Sequence, residues 1–204
     1  MPRPADPAIR PQRLLVLLSG SGRTLENLLG RIAEGALPAR VVRVIGSRPC
    51  RGVEVARQAD IPAEVIAGEI PAGELARIAA ESEADWIVLA GYLRRVNIPT
   101  SPRDYTGRVV NIHPALLPRH GGPGMYGGRV HAAVLAAGET ESGCTVHLAD
   151  ANYDEGPIVL QMRCPVLEGD TAETLAARVF ELEKQAYPEA LRMLFARAAA
   201  EERS

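Results

Sequence analysis

Asn111 and His113 stand two residues apart in Val-Val-Asn-Ile-His-Pro, residues 109–114. On a strand, both side chains would point to one face. Pro114 would end that strand and stiffen its exit. An amide and an imidazole aimed at one point can donate to a developing oxyanion and move a proton. The competing reading is a histidine satisfied inside the fold. A carboxylate could complete the set. Asp154 lies in Asp-Ala-Asn-Tyr-Asp-Glu-Gly-Pro, residues 150–157, a turn closed by Gly156-Pro157 just ahead of an apolar segment. Beside His113 it would orient the ring and stabilise its charged form; otherwise it is a turn aspartate of a common kind. The other histidines read differently. His120 belongs to a glycine-rich loop, His131 to a helix face, and His147 to a strand where it packs or bonds locally. No pair has metal-ligand spacing, so no catalytic metal is expected.

A second set of residues suits an anion. The run Leu14 to Leu18 ends in Ser-Gly-Ser-Gly-Arg-Thr, residues 19–24, and Leu25, Leu28, Leu29 and Ile32 follow at helical spacing. A corner between a strand end and a helix start offers unpaired N–H groups and a partial positive charge. Gly20 and Gly22 allow close approach of backbone, Arg23 adds a cation, and Ser21 and Thr24 add hydroxyls. The corner is neither of two familiar phosphate loops. Gly-x-Gly-x-x-Gly fails at Leu25, and nothing matches Gly-x-x-x-x-Gly-Lys-Ser/Thr. NAD and ATP therefore lose support, and the reading that remains is a phosphate group. The alternative is a plain turn with Thr24 as the helix cap.

These positions need a scaffold. The sequence predicts strands over Leu14–Leu18, Arg40–Ile45, Ala63–Ile66, Asp85–Gly91 and Arg108–Pro114. Helices are predicted after Thr24, over Pro49–Ile61, over Pro71–Glu83, and around Val130, Val134 and Leu135 up to Gly138. Gly143–Asp150 and Pro157–Val166 read as two strands too close for a helical crossover, hence antiparallel. From Thr171 one long helix is expected, bent near Pro188. The alternation implies an α/β fold, a mostly parallel sheet with helices on both faces and an antiparallel C-terminal strand pair. Residues 1–12 hold four prolines and read as a loose leader, neither signal peptide nor membrane span. Residues 13–204 read as a single domain, the length suiting one α/β unit. A formal charge of −2 gives no overall positive field for nucleic acid. Cys50, Cys144 and Cys164 offer no disulfide framework and suit reduced, mostly buried thiols in a cytoplasmic protein.

The segments "LLVLLSGSGRTLENLL", "DWIVLAGYLRRV", "VVNIHPALLP", "GPGMYGGRVHAAVLAAGE", "SGCTVHLADANYDEGPIVLQ" and "LEKQAYPEAL" occur in this order. Together they resemble the phosphoribosylglycinamide formyltransferase family, over roughly Arg13 to Phe195. The resemblance implies a Rossmann-like formyltransferase fold. It also implies a reaction: the amine of 5'-phosphoribosylglycinamide attacks the formyl carbon of the co-substrate 10-formyltetrahydrofolate, in purine biosynthesis. By the resemblance, Asn111, His113 and Asp154 are catalytic, and Ser21, Gly22, Arg23 and Thr24 line the phosphate. Glu183 contacts the glycinamide end. Leu93, Arg94, Arg95, Val96, Asn111 and Asp150 lie against the folate. It implies small-molecule substrates only, no nucleic acid or membrane partner, and a monomer or homodimer.

The chain departs from the family in several places. Arg23-Thr24 replaces the usual Ser-Asn, Lys184 follows Glu183 where a histidine is usual, and residues 67–75 lack an arginine some members carry. The loop 119–128 is of the longer kind. Methionyl-tRNA formyltransferase shares Asn-x-His and Leu-Leu-Pro but needs a further RNA-binding domain. Formyltetrahydrofolate deformylase carries an additional N-terminal domain. A non-catalytic phosphate-binding relative would be expected to lack one of the three polar residues.

Overall fold

The computed structural model describes residues 10–150 and 152–202. Its strands are β1 (Gln12–Leu18), β2 (Ala39–Gly46), β3 (Ala63–Val65), β4 (Trp86–Leu89), β5 (Val109–His113), β6 (Glu141–Leu148) and β7 (Ile158–Pro165). Its helices are α1 (Arg23–Ala33), α2 (Arg51–Gln58), α3 (Ala72–Glu81), α4 (Gly128–Ala136) and α5 (Ala172–Glu201). The strands hydrogen-bond in the order β3-β2-β1-β4-β5-β6-β7. This is the α/β, mostly parallel sheet that the alternation of elements predicts, with β6 and β7 antiparallel.

The chain contacts divide into two compact units, one running to Val110 and resuming at Pro188, the other spanning Asn111–Tyr187. In the first, β1 pairs in parallel with β2 and β4, and β2 with β3. Leu14 to Leu18 are fully buried, as expected of a strand covered on both faces. The strand begins at Gln12, two residues before the apolar run, because Trp86 Nε1 donates to Gln12 Oε1 and Asp85 Oδ2 accepts the Arg13 N–H. Arg10 also reaches the buried Asp85 through two hydrogen bonds. The expected leader is therefore tied down at Arg10 and Gln12, while residues 1–9 lie outside the described ones. Helix α1 turns Leu25 and Leu28 into the core, α2 turns Val53 and Ala56, and α3 turns Leu75 and Ile78.

In the second unit, β6 crosses β7 in the register Cys144↔Met162 and Thr145↔Gln161. Gly143 must be glycine, since a Cβ there would stand 1.9 Å from the Met162 carbonyl oxygen. Cys144 is buried, which pushes its thiol up to about 12, with Glu183 adding to the effect. It is inert at neutral pH. Helix α5 runs without a break through Pro188, a position that can donate no N–H to the preceding turn. Among the described residues, no helix is long and apolar enough to cross a membrane.

Candidate active site

β5 ends at His113, and the chain leaves it through Pro114 into a turn fixed from the side. Thr145 Oγ1 accepts the Leu117 N–H at 3.0 Å and donates to the Ala115 carbonyl at 2.7 Å. Gln161 Nε2 adds bonds to Thr145 Oγ1 and to the Leu117 carbonyl, each 2.9 Å. A buried strand end held by side-chain bonds gives Asn111 and His113 little freedom.

Both residues face Asp154, on the turn between β6 and β7. The His113 Nδ1 is 3.5 Å from Asp154 Oδ2. The Asn111 Nδ2 reaches Asp154 Oδ1 over a long 3.4 Å. Asp154 Oδ2 also accepts the Gly122 N–H at 2.9 Å. The structure thus brings together all three residues expected to carry the chemistry. Burial pushes the Asp154 carboxyl up, but His147, His113 and the Gly122 N–H hold it below the ordinary carboxylate range. It is ionised at neutral pH. His113 is only 3% exposed. Burial drives its imidazole below the ordinary value, against the attraction of Asp154 and the His120 carbonyl. The ring is mostly neutral at rest, next to a carboxylate that favours its cation.

Two participants were not foreseen. His147, expected only to pack or bond locally, has Nε2 3.0 Å from Asn111 Nδ2 and 3.4 Å from Asp154 Oδ1. Its Nδ1 lies 3.1 Å from the Leu148 carbonyl, to which it donates. With the proton on Nδ1 so placed, Nε2 stands between two partners: bare, it accepts from the Asn111 amide, and protonated, it donates to the Asp154 carboxylate. While it is bare, the two Asn111 amide hydrogens go to His147 and Asp154. The signal was present: Thr145 and His147 are polar at alternate positions in a strand whose Cys144 and Val146 are apolar, and all four are buried. The second unforeseen group is the His120 carbonyl, 2.8 Å from His113 Nε2. Only an N–H at Nε2 can make that contact, so the geometry assigns the proton there.

The glycine corner is built within the first unit. Gly22 is the N-cap of α1 with φ 80°, and no side chain caps the helix. Thr24 is thus not the cap; it lies inside the first turn, half-buried, and Arg23 opens the helix exposed to solvent. A Cβ on Gly22 would stand 2.6 Å from the Gly52 Cα, so the glycine also seats α1 on α2. The cations Arg48 and Arg51 hold the corner through the Ser19 and Ser21 carbonyls, each bond 2.8 Å. Ser19 Oγ accepts the Leu93 N–H at 2.9 Å, which ties the loop 90–96 to the corner. Leu93, Arg94 and Arg95 are exposed on that loop and Val96 is half-buried. In the second unit, Asp150 is exposed and accepts the Asn152 N–H at 2.9 Å, and Glu183 is half-buried on α5. No group of three or more His, Cys, Asp or Glu side chains among the described residues could hold a metal ion.

The sequence profile of the formyl transferase family matches residues 12–191. The chain is 41% identical over 185 residues to the phosphoribosylglycinamide formyltransferase of Mycobacterium tuberculosis, covering 88% of this chain and 83% of that one. It is 40% identical over 192 residues to the trifunctional purine biosynthetic protein adenosine-3 of Drosophila pseudoobscura pseudoobscura, where it covers 90% of itself but spans only 14% of that protein. The crystal structure of glycinamide ribonucleotide transformylase 1 from Symbiobacterium toebii superposes with a TM-score of 0.82 at 37% identity. The match covers 94% of this chain and 90% of that chain.

Proposed function

The chain belongs to the formyl transferase family, and from that premise we propose that it transfers a formyl group from 10-formyltetrahydrofolate to the amine of 5'-phosphoribosylglycinamide. The amine nitrogen bonds to the formyl carbon, and the bond from that carbon to the folate nitrogen breaks. The amine loses a proton and the folate nitrogen gains one. Between these events the formyl oxygen carries negative charge.

One observation carries the reading: Asn111 and His113 both face the Asp154 carboxylate, within 3.4 and 3.5 Å. The His113 Nε2–H, given at rest to the His120 carbonyl, is a donor for which a stronger anionic acceptor can compete. The Asn111 amide is a second donor, through the hydrogen that at rest makes only the long 3.4 Å contact with Asp154. Preorganised donors of this kind contribute roughly 3–4 kcal/mol each to an oxyanion transition state. Asp154 stabilises the His113 cation as the ring takes a proton and returns it to the leaving nitrogen. His147, by accepting from Asn111, keeps that amide turned toward the cluster.

In this reading the backbone of Ser21 and Gly22, with Arg23 and Thr24, binds the ribonucleotide phosphate. Glu183 contacts the glycinamide end. Leu93, Arg94, Arg95, Val96 and Asp150 bind the folate, with Leu93 and Val96 supplying apolar contact. Residues 13–204 work as one formyltransferase domain, cytoplasmic, acting on small molecules without nucleic acid or membrane, as a monomer or homodimer. The test is purified protein with both substrates, followed by the absorbance change as the folate loses its formyl group, with each substrate omitted in turn. Turnover that needs both supports the reading. Deformylation without the ribonucleotide amine, or none with both present, refutes it.

A further inference from the structure

His113 sits between two acceptors that demand opposite tautomers. Asp154 Oδ2, 3.5 Å from Nδ1, calls for a proton on Nδ1. The His120 carbonyl, 2.8 Å from Nε2, calls for one on Nε2. A neutral imidazole has a single N–H and can satisfy only one of them. The shorter contact prevails, because a bare lone pair facing a carbonyl at that distance is strongly repelled. What holds the His120 carbonyl in place therefore decides which nitrogen of His113 is the donor.

That hold comes from Glu139. Its Oε1 accepts from His120 Nε2 at 3.1 Å and its Oε2 from Arg119 Nη1 at 2.7 Å. The backbone of Glu139 is itself locked. The Gly138 N–H donates to Leu135 and the Glu139 N–H to Val134, closing the C-terminus of α4 with Gly138 at φ 64°. A carboxylate at a helix C-terminus opposes the helix dipole, so the position does not favour Glu139 for the helix's sake. The turn it grips needs a grip. His120 has φ 57°, a region that non-glycine residues occupy at a cost. The following Gly121 leaves no room for a side chain, as a Cβ there would meet Leu117 Cδ2 at 2.5 Å and Asp154 Cβ at 3.2 Å.

We propose that Glu139 is a positioning residue: through Arg119 and His120 it fixes the 120 carbonyl on His113 and so keeps His113 in the Nε2–H tautomer, a donor rather than a base at that nitrogen. Released from this carbonyl, the neutral ring would move its proton to Nδ1 and give it to Asp154. Nε2 would then present a lone pair to whatever it meets. The charged or titratable groups facing His113 are Asp154, His147, His120 and His131; Glu139 acts on the ring only through the turn.

The tautomer is read directly from the ring 15N shifts of His113, recorded at about pH 8 where the imidazole is neutral. In the unaltered chain Nε2 is expected to be pyrrole-like and Nδ1 pyridine-like. In Glu139→Ala the two shifts should converge or exchange. In Glu139→Gln, whose amide oxygen still accepts from the turn, they should stay near their original values. Arg119→Ala cuts the more exposed tether, should move them partway, and serves if Glu139→Ala does not fold. Unchanged shifts in both Glu139→Ala and Arg119→Ala overturn the proposal. So do equal shifts in the Ala and Gln variants, which would assign the effect to the carboxylate's charge. Only the kinetic consequence rests on the formyl-transfer reading: kcat falls about tenfold or more in Glu139→Ala while KM for the ribonucleotide holds. Moved shifts with no formyl transfer by the unaltered chain would sink that reading and leave the tautomer assignment standing.

Discussion

Replacing Asp154 by asparagine removes one negative charge 3.5 Å from the His113 Nδ1 and leaves the size of the side chain almost unchanged. Coulomb's law at that separation, with an effective dielectric constant of about 20, gives roughly 4.7 kcal/mol of attraction for the imidazolium. Each 1.36 kcal/mol changes the ratio of charged to neutral ring tenfold, so the whole of it amounts to about three thousandfold and half of it to about fiftyfold. Half is a reasonable floor, because the Asp154 side chain is mostly shielded from water. An asparagine amide can also donate to the Nδ1 lone pair, which favours the neutral ring further. If the charged His113 carries the proton to the leaving nitrogen, kcat in Asp154→Asn falls between about fiftyfold and three thousandfold. KM for each substrate should move little. The assay is steady-state formyl transfer across pH, with circular dichroism and melting as the check on the fold. A well-folded variant whose kcat falls less than about threefold at neutral pH would refute the electrostatic role. Loss of kcat recovered in full at low pH would support it, since excess protons then replace the missing carboxylate.

Stability should follow pH with a sign set by the buried histidines. The folded chain holds His113 and His131 below their ordinary value of 6.5, mainly through burial. Between that value and the folded ones the unfolded chain binds more protons, so stability falls as pH drops through this window; Tm recorded from about pH 8 to pH 5 should decline, and His113→Asn should flatten part of the slope. Asp154 adds a second loss further down, beginning near the ordinary carboxylate value, because its folded state is also held low. Arg23→Ala should raise KM for the ribonucleotide about tenfold with kcat nearly unchanged, in line with a lost charge-assisted phosphate contact; an unmoved KM removes Arg23 from the phosphate site. Gly22→Ala combines φ 80° with a Cβ 2.6 Å from the Gly52 backbone, whereas Gly20→Ala meets nothing within 4 Å. The first should lower Tm by about 5–15 °C and the second by less than about 2 °C, as differential scanning calorimetry would report.

The elements were legible wherever burial imposes a period. The run Leu14–Leu18 and the spacing of Leu25 and Leu28 have one plausible reading each, and both are found. Their ends were not, because ends are decided by partners distant in sequence. β1 starts at Gln12 because Trp86 and Asp85 reach it there. The Asn111, His113 and Asp154 set was readable as chemistry but not as geometry: nothing local shows that a turn 41 residues beyond His113 comes back to it. His147 was passed over for a related reason. A strand histidine looks the same in sequence whether it packs or bonds to a carboxylate, and the alternation with Thr145 becomes informative only once that face is known to meet the exit of β5. The His120 carbonyl had no side-chain signature at all. Main-chain groups carry none, and only the glycines at 121 and 122 hinted that the backbone comes close to something.

The backbone at Asp154 separates conformation from charge. Its φ of 59° places it in the left-handed region, as does the 57° of His120 on the opposite side of His113. Glycine and asparagine enter that region most readily, so a turn selected for conformation alone would carry one of them. Aspartate tolerates the same angle, and what it adds over asparagine is a full negative charge. Here that charge is set against two histidines and accepts a backbone N–H. The choice of residue at 154 is therefore electrostatic, made at a site where the backbone would accept the uncharged isostere without strain. Asparagine therefore keeps the backbone angle at 154, but it has one acceptor oxygen where the carboxylate has two: an amide turned to donate to His113 Nδ1 gives up the Gly122 N–H bond made by Oδ2. The melting check on Asp154→Asn thus measures that lost bond, and the loss of turnover in a variant that melts like the unaltered chain belongs to the charge.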